Sequence, residues 1–224
     1  MKLHMHPASI TSRPVRLFIA EKGLDVDMVV VDLFTGAHHQ EPYVSFNPNR
    51  LVPVLEDGDL RLTESATILK YLAEKNGLPE YGGDIKKRAK INEIMDWCNS
   101  NFYRDWGYNL AYPQLFPHHK RQTDEAQQKT LEWGLERSKF WLTVLNDYFL
   151  AHGKTWLTGD DITVADYFCG SVVALGEMIG TDFSKYPRVQ AWLKNVKGLK
   201  HWGAISAELD GFAASVKDQT FVKA

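Results

Sequence analysis

The chain has 224 residues, 44% of them hydrophobic, which is room for one large or two modest domains with a buried core. A net charge of −2 leaves no basic footprint for nucleic acid or an anionic membrane surface. The first residues, Met1 to His6, lack the apolar run of a signal peptide, no stretch reaches the length of a membrane span, and Cys98 and Cys169 are too far apart for a Cys-x-x-Cys site, so a soluble cytoplasmic protein is expected.

Lys2 to His6 alternates and reads as a short strand, followed by Pro7-Ala8-Ser9-Ile10-Thr11-Ser12. Ser12 as N-cap and Pro14 in the first turn predict a helix that buries Val15, Phe18 and Ile19 and ends at Gly23. The β-branched run Met28 to Val31 predicts a second strand, buried on both faces and parallel to the first. Val52–Leu55 and Leu60–Leu62 flank Glu56-Asp57-Gly58-Asp59, and Asp-Gly between apolar runs predicts a β-hairpin. Pro53 lies at its start, a setting in which X-Pro bonds are sometimes cis, and it leaves Val52 with a free N–H and C=O for an extended ligand. Thr63-Glu64-Ser65 leads into Ile68, Leu69 and Leu72 at helical spacing, so a helix N-terminus closes the unit. Its free N–H groups favour a carboxylate and Glu64 can hold an ammonium group, so the neighbourhood suits an amino-acid-like peptide. The order β-α-β then β-β-α is thioredoxin-like. Where thioredoxins place redox cysteines this chain has Ser9-Ile10-Thr11-Ser12, and a hydroxyl forms no mixed disulfide.

Asn76-Gly77-Leu78-Pro79 and Tyr81-Gly82-Gly83 end the strand pattern and place a domain boundary. Ile91, Ile94, Met95, Cys98 and Phe102 then mark one helix, continued by an aromatic stretch to Phe116 that Pro113 and Pro117 close. Leu131 to Phe149 marks a second helix, ending at Gly153. A third begins at Thr163 with Asp166 as its capping partner, a structural role, and a fourth at Tyr186-Pro187. The fold expected is an α/β thioredoxin-like N-terminal domain, residues 1–78, plus an all-α C-terminal helical domain, residues 86–224. The histidine pairs His38-His39 and His118-His119 have neighbours facing different ways and no carboxylate spacing to complete a site, so no metal is expected.

Asn47-Pro48 to Val52-Pro53-Val54-Leu55, Asp57-Gly58-Asp59 and Leu62-Thr63-Glu64-Ser65 together resemble the glutathione-binding half of cytosolic glutathione S-transferases. Leu157-Thr158-Gly159-Asp160 followed by Thr163, Ala165 and Asp166 resembles their helical domain, and Pro7-Ala8-Ser9 with Arg13 is similar to the start of theta-class and bacterial theta-like, serine-type members. The resemblance implies a glutathione transferase with glutathione as co-substrate, a small hydrophobic electrophile as second substrate, no metal and a homodimer. Ser9 is the implied catalytic hydroxyl; the alternatives are that Ser9 only caps the helix, or that Thr11 or Ser12 supplies the hydroxyl. Members often carry Pro-Cys where this chain has Thr11-Ser12. Lowering a thiol pKa from ~8.5 by about two units takes roughly 2.7 kcal/mol, within reach of one hydrogen bond to the thiolate, about 1.5–3 kcal/mol, and a helix N-terminus, up to ~2.

The implied glutathione contacts are His38, Arg50, Leu51, Val52, Pro53, Glu64 and Ser65, with His38 and Arg50 at the glycine end and Leu51 where some members have lysine. Asn101, Arg104 and Tyr108 are the implied contacts of the second substrate, set against the alternative of an aromatic core layer with an Arg104–carboxylate pair. Two other functions stay open: glutathione-dependent dehalogenation, and a non-catalytic transferase-like interaction module.

Overall fold

In the computed structural model, which describes residues 1–224, strand β1 (Lys2–Met5) alternates, turning Leu3 and Met5 into the core. Helix α1 (Ser12–Lys22) follows, and Gly23, at φ +60°, ends it in the left-handed conformation that glycine adopts most easily. The expected cap is displaced: Ser12 lies inside the helix with its hydroxyl buried and unpaired, and Ser9 Oγ accepts the Ser12 N–H at 3.1 Å. Strand β2 (Asp27–Val30) is parallel to β1, as expected, with Leu3 beside Met28. It is not buried on both faces. Met28 and Val30 are 41% and 59% exposed, because β2 is the edge of a sheet ordered β2-β1-β3-β4. Val31, just past it, turns inward to a small second core with Tyr43, Val52 and Val54.

After a short helix α2 (Tyr43–Phe46), β3 (Val54–Asp57) runs antiparallel to β1 and turns through Gly58-Asp59 into β4 (Leu60–Leu62). Gly58 takes φ +63° there. Helix α3 (Ser65–Lys75) buries Ile68, Leu69 and Leu72 and completes the thioredoxin-like layer.

The remainder is helical. Asp84 caps α4 (Ile85–Trp97) by accepting the N–H groups of Lys86 and Lys87, both at 2.9 Å. The rod does not stop there: it continues in π register through Cys98–Phe102 and Arg104–Ala111 and returns to α register in α5 (Tyr112–Leu115). Pro113 sits within this last turn rather than ending the stretch. Helix α6 (Asp124–Val144) crosses the π segment so closely that a Cβ on Gly134 would stand 2.3 Å from the Asn109 carbonyl oxygen. Buried Asp105 ties the two together, accepting from Trp141 Nε1 at 2.8 Å, Asn109 Nδ2 at 3.0 Å and the Arg104 guanidinium.

All ten residues of α7 (Val164–Val173) are buried, and it packs on α1, α3 and α4 alike. The larger apolar core therefore runs from the sheet layer through to α8 (Pro187–Lys197) and α9 (Trp202–Val216). Cys169 of α7 lies against Cys98, and burial pushes its thiol well up, so both behave as apolar groups despite their distance in sequence. Arg13 crosses from α1 to donate to the Ser171 carbonyl and lies over the Trp202 ring at 4.9 Å; burial lowers it to about 10, so it stays charged at neutral pH.

Asp166, itself fully buried, starts α7 and gathers its surroundings. Its Oδ2 accepts from Thr163 N at 2.8 Å and Thr163 Oγ1 at 3.0 Å, and its Oδ1 from Leu157 N and Trp192 Nε1, both at 2.9 Å. Asp166→Ala should orphan these donors and cost about 3 kcal/mol or more, a fall in Tm of roughly 6–12 °C for a chain of this size. Calorimetry checks this, and a Tm within 2–3 °C of wild type (about 1 kcal/mol) would remove Asp166 from this role.

Candidate active site

The turn after β1, the loop before β3 and the start of α3 converge on one cleft. His6 steadies the first: its Nδ1 accepts the Ala8 N–H at 3.1 Å, and its carbonyl accepts the Ser9 N–H at 3.0 Å. The Leu51 carbonyl accepts Tyr43 OH at 2.6 Å and Asn47 Nδ2 at 2.8 Å, which fixes the loop ahead of the cis Val52–Pro53 bond. Arg50, in the same loop, adopts φ +56°. Thr11 Oγ1 donates to the Val52 carbonyl at 2.9 Å, so that carbonyl, expected to be free, already holds one bond and keeps its second lone pair. The Val52 N–H has no partner in the chain.

At the head of α3, Glu64 takes φ +65°, a conformation that costs a non-glycine residue of order 1–3 kcal/mol and is found where a site needs the backbone aimed. Its carboxylate is exposed to the cleft, whereas Ser65 is buried and donates its hydroxyl to the Thr11 carbonyl at 2.7 Å. The first-turn N–H groups of α3 have no intrahelical acceptors.

Two cavities meet here. The polar one, about 340 Å³, is walled by Asn47, Asn49, Glu64, Ser65, Ser100 and Arg104. The second, about 260 Å³, is mostly aromatic, with Phe34, Tyr112, Phe116 and Phe212 around Ser9 and His38. Thr11, Leu51, Val52, Tyr103 and Tyr108 line both, so they mark the junction. Leu51 is 60% exposed at this lip. Such a pairing of a polar and an apolar compartment suits a polar peptide beside an apolar partner.

Charge is arranged accordingly. Burial raises Tyr108, and the nearby Glu64 carboxylate adds to it. Burial likewise raises Tyr103 and Tyr112, whose hydroxyls are hydrogen-bonded to each other. The imidazoles of His6, His38 and His119 are held below their usual value, burial being the main cause for each. No three His, Cys, Asp or Glu side chains come together as metal ligands.

Of the residues singled out by sequence, Ser9, His38 and Arg50 line the aromatic cavity, Pro53, Glu64, Ser65 and Arg104 the polar one, and Leu51, Val52 and Tyr108 both. Arg104 also holds Asp105, so it serves the core as well as the wall. Asn101 lines neither. Positions 101, 104 and 108 share a face at α spacing, but the π register widens the repeat and brings Asn99 and Ser100 to the wall instead. Sequence reasoning missed Tyr103, Tyr112, His119 and Phe212, which come from separate turns of the rod, from the short turn Pro117–His119 after it and from α9. Only the density of aromatics between 102 and 116 hinted at them.

Family models cover both parts of the chain: the glutathione S-transferase N-terminal domain matches residues 1–74, and the glutathione S-transferase C-terminal domain matches residues 110–202. The chain is 30% identical over 202 residues to human glutathione S-transferase theta-1, covering 88% of this chain and 82% of that protein. The crystal structure of human glutathione transferase theta-2, a complex with glutathione and an unknown ligand, is similar at a TM-score of 0.83 and 26% identity, covering 100% of this chain and 93% of that one. A delta-class glutathione transferase of Nilaparvata lugens aligns at a TM-score of 0.78 and 29% identity, covering 96% of this chain and 98% of that one.

The lowered imidazoles set a pH dependence. An unfolded chain protonates His6, His38 and His119 near pH 6.5 while the folded chain resists, so between that value and the folded ones stability falls as pH falls. Above about pH 6.5 these residues make no demand. Asp105, opposed by burial but lowered by its Arg104, Trp141 and Asn109 hydrogen bonds, extends the loss through the carboxylate range. Tm should therefore drop from pH 7.5 to pH 5.5, and His38→Gln with His119→Gln should flatten the slope; a Tm equal at the two pH values would contradict it.

Proposed function

Since this chain belongs to the glutathione S-transferase family, we propose that it activates the thiol of glutathione by a hydrogen bond from Ser9 for attack on a small apolar electrophile. The chain is a theta-like transferase and glutathione is its co-substrate. The observation that carries the serine reading is the position of Ser9: at the end of β1, within reach of the N-terminus of α1, facing the aromatic cavity a few atoms from its junction with the polar one. A sulfur held at the junction lies between the peptide site and the apolar site.

The peptide fits by strand addition. The free Val52 N–H and the remaining lone pair of its carbonyl pair with the cysteinyl backbone of glutathione, beside Leu51 and Pro53. The γ-glutamyl carboxylate meets the first turn of α3 at Ser65, its ammonium meets Glu64, and the glycine end extends toward His38 and Arg50. The thiolate then attacks an electrophile held against Tyr108 and the other rings, with Arg104 on the polar side; Asn101 falls outside this reading. On this division residues 1–78 carry glutathione and residues 86–224 supply the second wall. Cytoplasmic residence accords with the cytosolic branch of the family that the chain resembles.

The assembly proposed is a homodimer. Trp133 and Phe140, seven residues apart on α6, are 56% and 48% exposed with the Arg137 guanidinium over both rings, and Leu60 of β4 is also exposed. An isologous contact is the usual way to cover such surfaces. Light scattering at micromolar protein should give twice the 25.6 kDa chain mass, and a monomer mass would contradict it.

Two variants separate binding from activation. Glu64→Ala should weaken glutathione binding by about 1–2 kcal/mol, the value of one charged contact at an exposed site, with calorimetry as the measure. Ser9→Ala should leave affinity near wild type, but lower turnover at neutral pH by roughly thirty- to a hundred-and-fifty-fold, for loss of ~2–3 kcal/mol of thiolate stabilisation. Thiolate absorbance in its complex should titrate closer to the free-thiol value. An unchanged thiol pKa and rate in Ser9→Ala would exclude Ser9.

A further inference from the structure

Thr11 is bonded to all three segments that build the cleft. Its carbonyl accepts the Ser65 hydroxyl at 2.7 Å, its Oγ1 donates to the Val52 carbonyl at 2.9 Å, and the same Oγ1 lies 3.1 Å from Ser9 Oγ. A hydroxyl has one proton and a carbonyl only accepts. The Thr11 proton therefore lies on Val52, and in the contact with Ser9 it is Ser9 that donates. Ser9 Oγ in turn accepts the Ser12 N–H at 3.1 Å. A one-way chain results, from Ser12 to Ser9, from Ser9 to Thr11 and from Thr11 to Val52, in which each bond polarises the next. With its proton on Thr11, the Ser9 hydroxyl is directed away from any sulfur at the junction.

We propose that Thr11 is a positioning residue that reverses this chain when glutathione binds. The inference rests on the reading of Ser9 as the sulfur's donor. A peptide N–H that adds to the edge takes the second lone pair of the Val52 carbonyl, which weakens the Thr11 bond to the same oxygen and lets the Thr11 proton swing onto Ser9 Oγ. Ser9 then accepts from both Ser12 and Thr11 and turns its own proton to the sulfur. An oxygen that accepts two hydrogen bonds is a stronger donor than one that accepts a single bond. Only two O–H bonds rotate: no covalent bond forms or breaks, and every proton stays on its own oxygen. Thr11 is suited to this because it lines both cavities and so senses the peptide on one side while touching the donor on the other. Its backbone is held by Ser65, which leaves the hydroxyl as its moving part.

The test titrates thiolate absorbance in the glutathione complex of the full chain and measures kcat and KM beside it. Thr11→Val, nearly the same shape without the hydroxyl, should raise the thiol titration by about half to one pH unit and lower kcat at pH 6.5 about three- to tenfold, the loss of one neutral hydrogen bond. KM for glutathione should stay near wild type, the rates should converge at alkaline pH, and Thr11→Ser should restore the wild-type titration. The double variant Ser9→Ala with Thr11→Val should titrate like Ser9→Ala alone, since Thr11 acts through Ser9. A normal titration in Thr11→Val beside a shifted one in Ser9→Ala would overturn the positioning role and leave Ser9 in place. A shift in Thr11→Val with none in Ser9→Ala would overturn both and make Thr11 itself the donor. A further shift in the double variant would show Thr11 acting on the sulfur independently, and would also overturn the proposal.

Discussion

The buried carboxylate of Asp166 governs where everything else can be. A charge with no solvent survives only when its lone pairs are filled, and here they are filled by donors from Leu157 and Thr163 in the segment ahead of α7 and from Trp192 of α8. That requirement fixes the start of α7, and α7 is the helix on which α1, α3 and α4 all rest. Burial still raises the Asp166 carboxyl above its ordinary value even against these bonds, which shows how strongly the surroundings exclude water. Because α1 and α3 present the two helix N-termini of the cleft, the geometry of the site is set at some distance from it.

The same logic of shared support holds within the cleft. The sheet supplies Ser9 at the end of β1, the loop before β3 supplies the Val52 edge, and α3 supplies Glu64 and Ser65. None of these segments is bonded to another by regular secondary structure at that point, so side-chain contacts join them. Thr11 is the hub of those contacts, while Tyr43 and Asn47 brace Leu51 from behind. The helical rod then closes the apolar half of the cleft with rings, and lends Arg104 to the polar half. The result is a site whose polar half is held by side-chain hydrogen bonds and whose apolar half is held by packing.

Features encoded by local chemistry were legible in the sequence. The Gly23 terminus and the Thr163–Asp166 start of α7 each follow from the conformational or hydrogen-bonding habits of single residues and stand where expected, and the hairpin forms with its turn at Gly58-Asp59, one residue past the expected Asp57-Gly58 pair. Features that depend on neighbours were not. Nothing in Met28 to Val31 distinguishes a central strand from an edge strand, since both tolerate β-branched runs. Ser12 and Ser9 are equally good caps on paper, and only the path of the chain makes Ser9 the acceptor. The part of the cleft near Val52 and Glu64 was visible because it lies in one stretch of chain. The opposite wall was not, because Tyr103, His119 and Phe212 meet only after the rod and α9 have packed. Thr11 stood out in the sequence only as an alternative hydroxyl beside Ser9, and its bonds became apparent only in three dimensions.

The π register of the rod has a consequence for how such a wall changes over time. A π turn accommodates an additional residue inside a helix without opening a loop, so a one-residue insertion or deletion absorbed between 98 and 111 rotates only the side chains within that stretch about the axis while both ends of the rod stay anchored. Tyr103 and Tyr108 would exchange places with their neighbours around the cavity, and the cleft would present a new lining on an unchanged frame. In this chain the lining of the cleft is therefore set by the register of a continuous helix, a role that in most folds belongs to surface loops.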